Sequence, residues 1–117
     1  MDLHYLGFRD NAFRLILCCD VLEHVHNDRQ CMRELWRVLQ PGGLALLHVP
    51  YAPDSPVTIE FESPRPDLNM HTRYYGTDYF ARLAEMGFQV LHEGKDVGAV
   101  IKPCEEKVVE KTADLQA

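Results

Sequence analysis

Apolar and polar positions divide the chain into segments of two periods. Residues 13–21, FRLILCCDV, form a short and nearly continuous apolar run. Leu15, Ile16 and Leu17 in succession suit a strand buried on both faces, as in a parallel sheet. Asp10 and Asn11 supply the turn before it. From Asn27 the period becomes helical. Asn27 is placed as an N-cap and Gln30 stands at the reach-back position of a capping box. Cys31, Leu35, Val38 and Leu39 then mark one apolar face, and Arg29, Arg33 and Arg37 mark a solvated one. Trp36 reads as core or rim. Pro41-Gly42-Gly43 ends this element, and residues 44–49 give a second buried strand closed by Pro50. Strand, helix, tight turn, strand predicts a βαβ unit with parallel strands and a right-handed crossover.

Residues 51–70 carry Pro53, Pro56, Pro64 and Pro66, which forbid a helix and predict a long irregular loop. Thr77 is the expected N-cap of a second helix, with Phe80, Leu83 and Ala84 inward and Gly87 just past its end. Residues 88–91 and 97–101 flank a turn at Gly94-Lys95-Asp96 and predict an antiparallel hairpin. The reading is one small domain over residues 1–103 and a charged tail over 104–117, without internal repeats.

Composition narrows the classes. Twelve basic against eighteen acidic residues give a net charge of −6, which argues against a nucleic-acid binder. The 46% hydrophobic content is that of a globular chain with one core. No apolar run is long enough for a membrane span. Four cysteines, two of them adjacent, make no disulfide framework, and a reducing, cytoplasmic setting is expected.

With these elements placed, FRLILCCDVLEHV (13–25) followed by RELWRVLQPGGLALLHVP (33–50) resembles the middle of a class I S-adenosylmethionine-dependent methyltransferase: its fourth strand, the next helix and its fifth strand. The stretch HTRYYG (71–76), with Phe80, Leu83 and Gly87-Phe88, resembles the family's helix ending in Gly-Phe before a C-terminal hairpin. The resemblance covers about residues 2–101. It implies an α/β fold: a partial Rossmann-like methyltransferase sheet of parallel strands plus a C-terminal antiparallel hairpin, with flanking helices. The family's glycine-rich cofactor loop of G-x-G type does not occur in the sequence. Only the C-terminal half of the domain is therefore matched.

What the resemblance implies is transfer of a methyl group from S-adenosylmethionine to an unidentified acceptor, with weak or no activity in this half alone. Asp2 and Leu3 would stand at the adenine, Asp2 accepting from its amino group. Cys18, Cys19, Asp20 and His24 would line the cofactor cleft at a strand end, where open α/β sheets bind ligands. Tyr51, His71, Arg73 and Tyr75 flank the long loop, and His71 or Arg73 could position an acceptor. The plainer readings stand beside these: small strand residues at 18 and 19, a turn cap at Asp20, Arg73 holding a loop carboxylate, tyrosines packed over the sheet. No residue is assigned to the chemical step.

Glu23 and His24 could form an acid/base pair, but neighbours on a helix do not face each other, so Glu23 is expected to open the helix and favour its dipole. A metal module from Cys18, Cys19, His24, His26 and Cys31 is set aside, because adjacent cysteines on a strand point to opposite faces and no C-x-x-C spacing exists. No metal is expected. Lacking a neighbour, residues 15–19 would form an apolar edge strand, and a homo-oligomer joined through that edge is expected. The alternative function is a non-catalytic half-domain acting in assembly or partner binding.

Overall fold

The computed structural model describes residues 2–93 and 98–103. In chain order the elements are β1 (Phe13–Cys19), α1 (Asp28–Val38), β2 (Leu39–His48), β3 (Ile59–Arg65), a 3-10 turn (Pro66–Leu68), β4 (His71–Tyr74), α2 (Tyr79–Glu85), β5 (Gln89–Glu93) and β6 (Gly98–Ile101). The main sheet runs β1-β2-β6-β5. β1 and β2 pair in parallel, with Leu15 opposite Leu44 and Cys19 opposite His48. β6 pairs antiparallel with both β2 and β5. The βαβ unit and the antiparallel C-terminal pair are thus as expected. The turn at Gly94-Lys95-Asp96 and the tail at 104–117 lie outside the described residues.

The start of α1 is capped as predicted on one side only. Asn27 Oδ1 accepts from the Gln30 amide at 3.1 Å. The Gln30 side chain does not reach back. It donates to the His4 carbonyl at 2.9 Å, and the Asn27 amide donates to His4 Nε2 at 3.0 Å. The capping box is therefore completed by the N-terminal segment. Pro41-Gly42-Gly43 is not a turn between helix and strand, because β2 begins at Leu39. The register jumps from Phe13–Leu39 to Leu15–Leu44, so the three residues bulge out of the ladder, and Gly42 takes φ 83° there.

Residues 51–70 hold more structure than the prolines suggested. Ile59-Glu60-Phe61-Glu62 alternates apolar and polar, and β3 pairs antiparallel with β4. Pro64 falls where the register shifts between Glu60 and Arg65, so it costs no ladder hydrogen bond. Asn69 and Met70, both at positive φ, turn the chain back. α2 begins one residue later than expected, after Asp78, whose carboxylate accepts from the Thr58 amide and hydroxyl instead of capping the helix. Gly87 follows the helix at φ 108°.

Leu22, Met32, Leu39, Leu47, Tyr79 and Leu83 form the centre of the core. Along β2 and just past it, Ala45, Leu47 and Val49 are buried and the alternate residues 44, 46 and 48 only half so. β1 departs from the expected double burial. It is the outer strand, and Leu15 and Leu17 are 55% and 66% exposed. Among the described residues no helix is long and apolar enough to cross a membrane.

Candidate functional site

β1 and β2 end side by side, and the chain leaves both at the same rim. Asp20 takes a left-handed conformation, φ 57°, which breaks the strand sharply. Its amide donates to the His48 carbonyl at 2.9 Å, and its Oδ1 lies 3.0 Å from His48 Nδ1. Residues 21–26 then form turns, not the first turn of a helix, since α1 begins at Asp28. That overturns the expectation that Glu23 opens the helix. In a turn, side chains of neighbouring residues can converge, and those of Glu23 and His24 do.

A cleft of about 470 Å³ lies between β1, α1 and the N-terminal segment, with Leu3, Cys18, Cys19, Ile16, Leu6 and Phe8 among its walls. Of the residues expected at the cofactor, Leu3, Cys18 and Cys19 meet here. The segment carrying Leu3 is held by Arg37, which donates to the carbonyls of Leu6 and Phe8 at 2.9 Å and pairs with Glu34 and Asp10. Arg37 is therefore a clamp, where a solvated arginine was expected. Asp2 lies outside the cleft. Its Oδ1 accepts from the His4 amide and approaches His4 Nδ1 at 2.8 Å, and these contacts lower its pKa. Burial pushes the Cys18 thiol up to about 11 and the Cys31 thiol to about 12, so both stay protonated at neutral pH.

Beside the Asp20–His48 pair, Glu23, His24 and His71 each bring a ligand-type atom within 4.8 Å of the other two. Glu23 is 1% exposed, and its Oε1 has no hydrogen-bond partner among the described residues. Burial raises its pKa against the opposing pull of a backbone hydrogen bond and His24. The His24 and His71 rings meet edge to face at 4.6 Å. Burial, then His24, lowers the pKa of His71. Sequence spacing could not show this cluster, because β4 is joined to the 22–26 turn by tertiary hydrogen bonds. The Thr72 amide and hydroxyl donate to the Glu23 carbonyl at 2.8 and 2.9 Å, and Arg73 donates to the carbonyls of Leu22, Val25 and His26.

The other residues expected near an acceptor fall elsewhere. Arg73 is 3% exposed and pairs with Glu60 of β3 at 2.9 Å, the plainer of its two readings. Tyr75 is fully buried and donates to Asp28 at 2.6 Å. Arg82 donates to the same carboxylate oxygen at 2.7 Å. Burial alone would raise the pKa of Asp28. Tyr75, Arg73 and Arg82 overcome that and hold it below its ordinary value. Tyr51 packs edge to face on Phe80 at 5.4 Å, half-buried near the rim. Only His71 of the four joins the cluster.

Residues 1–47 match the methyltransferase domain family. Over 56 residues the chain is 41% identical to the uncharacterized methyltransferase YcgJ of Bacillus subtilis (strain 168), covering 48% of this chain and 22% of YcgJ. The crystal structure of YcgJ superimposes with a TM-score of 0.59 at 24% identity, over 76% of this chain and 39% of that one. The Burkholderia thailandensis 1,6-didemethyltoxoflavin-N1-methyltransferase, solved with S-adenosylhomocysteine bound, gives a TM-score of 0.67 at 14% identity over 88% and 49%. The cyclase SpnF gives 0.60 at 22% over 79% and 32%. The chain thus spans about a fifth of the curated relative it matches, and less than half of each of these solved structures. The sheet has the fold of these solved methyltransferases. The chain is thus similar to methyltransferases in its N-terminal 47 residues and in its fold.

Proposed function

We propose that this chain supplies one wall of the cofactor site and part of the acceptor side of an S-adenosylmethionine-dependent methyltransferase. The carrying observation is that Leu3, distant in sequence from Cys18 and Cys19, lines one apolar cleft with them at the end of β1. About 470 Å³ suits the adenosine part of the cofactor. The residues present fit that part and no more, since no G-x-G segment occurs to cradle the methionine part. The bound cofactor supplies an electrophilic methyl group on a sulfonium whose departure leaves a neutral thioether.

The chain's own residues bind and orient. Leu3, Cys18 and Cys19 exclude water from one face of a flat base, and Asp2 presents a largely exposed carboxylate nearby. Asp20 and His24 stand at the rim with exposed polar groups, where His71 would meet an incoming acceptor. Positioning of this kind supplies most of what an in-line displacement requires. With one wall alone, the 117 residues are weakly active or inactive. SpnF, a cyclase on the same fold, is a reminder that the fold does not fix the reaction. Calorimetric titration with S-adenosylhomocysteine tests the reading. Micromolar binding, weakened at least about tenfold by Cys19→Trp in the cleft, is expected. No heat at millimolar ligand would overturn it.

The edge of β1 favours a second role in the same chain. Leu15 and Leu17 are exposed beside an open backbone edge, and a second copy added strand to strand would cover them. On this reading the half-domain works as a homo-oligomer, and assembly remains its function where cofactor binding fails.

A further inference from the structure

We propose that Glu23, His24 and His71 bind a divalent transition-metal cation of the zinc, cobalt and nickel type. The proposal does not depend on methyl transfer, and it uses none of the cysteines that the sequence brought to mind.

Three observations converge. The ligand atoms of the three residues lie within 4.8 Å of one another. With metal–nitrogen and metal–oxygen bonds near 2.0–2.2 Å, ligand atoms in a tetrahedral site stand about 3.3 Å apart. Rotation of the two imidazoles is the movement that would close that difference, with His24 Nδ1 giving up its 3.4 Å contact to the Met70 carbonyl. Second, Glu23 is 1% exposed and its Oε1 is unpartnered. An orphaned buried carboxylate oxygen is costly, and no lysine or arginine among the described residues reaches it. A cation held between the carboxylate and two imidazoles removes that cost. Third, the backbone is already fixed. Thr72 and Arg73 join β4 to the turn through five hydrogen bonds to the carbonyls of Leu22, Glu23 and Val25, so His71 faces Glu23 and His24 before any ion arrives.

Donor chemistry sets the class. Two imidazoles and one carboxylate suit borderline metals better than magnesium or calcium, which prefer all-oxygen shells. Three protein ligands leave a fourth position for water or an oxygen donor, the arrangement of an open site. His24 is exposed, giving the ion a route in.

The test is cobalt and zinc titration of the full chain after chelator treatment, followed by visible absorption and calorimetry. One ion per chain is expected, with ligand-field bands of a nitrogen–oxygen shell. His24→Ala and His71→Ala should each weaken binding by more than the roughly 10–100-fold that loss of an outer-shell partner costs, with the circular dichroism spectrum unchanged. Glu23→Gln, nearly isosteric, should weaken it too. Absence of binding at millimolar metal overturns the proposal. So does a thiolate-to-cobalt charge-transfer band, or affinity unaffected by both histidine variants.

Discussion

Arg73 Nη1 donates to the main-chain carbonyl of Leu22 at 2.6 Å, and this contact joins the two halves of the candidate site. The same guanidinium reaches Val25 and His26 and pairs with Glu60. A planar fork is needed to reach these partners at once, and lysine cannot replace it. Arg73→Lys keeps the charge but cannot make the forked contacts, and should lower stability in urea unfolding by about 1–3 kcal/mol, the cost of leaving buried carbonyls unpaired. Equal midpoints for both proteins would show the clamp to be idle.

Asp28 contributes to acid stability. Its folded pKa lies below the ordinary 3.8, despite burial, because Tyr75, Arg73 and Arg82 favour the anion. A depressed pKa contributes stability that is complete above 3.8 and is lost as pH falls through the lower folded value. Unfolding midpoints should therefore drop steeply below about pH 4. Asp28→Asn should be less stable at neutral pH and flatter in that acid window. A parallel acid limb in the variant would assign the loss to other groups.

Thiol reactivity should follow burial. Cys19 is exposed, whereas Cys18 and Cys31 are buried with thiols pushed up to about 11 and 12. Alkylation followed by peptide mapping should modify Cys19 well before the other two. Early labelling of Cys31 would mean that α1 opens readily.

Leu17 is 66% exposed on the outer strand, so Leu17→Lys should leave thermal stability within about 0.5 kcal/mol. Sedimentation should show self-association of the parent chain that this substitution weakens. A parent chain that stays monomeric at high concentration removes the edge-pairing role.

Gly87 holds φ 108°, and a Cβ there would stand 2.9 Å from Trp36 Nε1. Strain and overpacking together predict a loss of about 1–3 kcal/mol for Gly87→Ala. Trp36 is the single tryptophan, so its fluorescence should shift as well. An unchanged spectrum would place the added methyl elsewhere.

The parallel pair, α1 and the final hairpin were legible because each rests on a local signal: the Leu15–Leu17 run, the Cys31/Leu35/Val38 spacing, the residues around the closing turn. β3 was not, because its partner β4 lies beyond a proline-bearing turn and the Pro64 bulge hides the alternation of Ile59 to Glu62. Leu3, Cys18 and Cys19, named together on the resemblance, do line one cleft. Glu23 with His71 could not be placed from the sequence, because that contact depends on Arg73 and Thr72 binding main-chain carbonyls, which any residue types at 22–26 would present. The left-handed Asp20 breaks the strand and leaves Glu23 in a turn where a helix had been expected, and that conformation is set by the fold.

Lys102 stacks its ammonium on the Trp36 ring at 3.8 Å, donates to Asn11 at 2.8 Å and accepts from the Gly42 amide at 2.6 Å. This clasp sits at the pole where β1 starts, opposite the rim that bears Asp20 and His48. A dye attached at Asn11 therefore sits away from the candidate rim and can report on ligands without obstructing them.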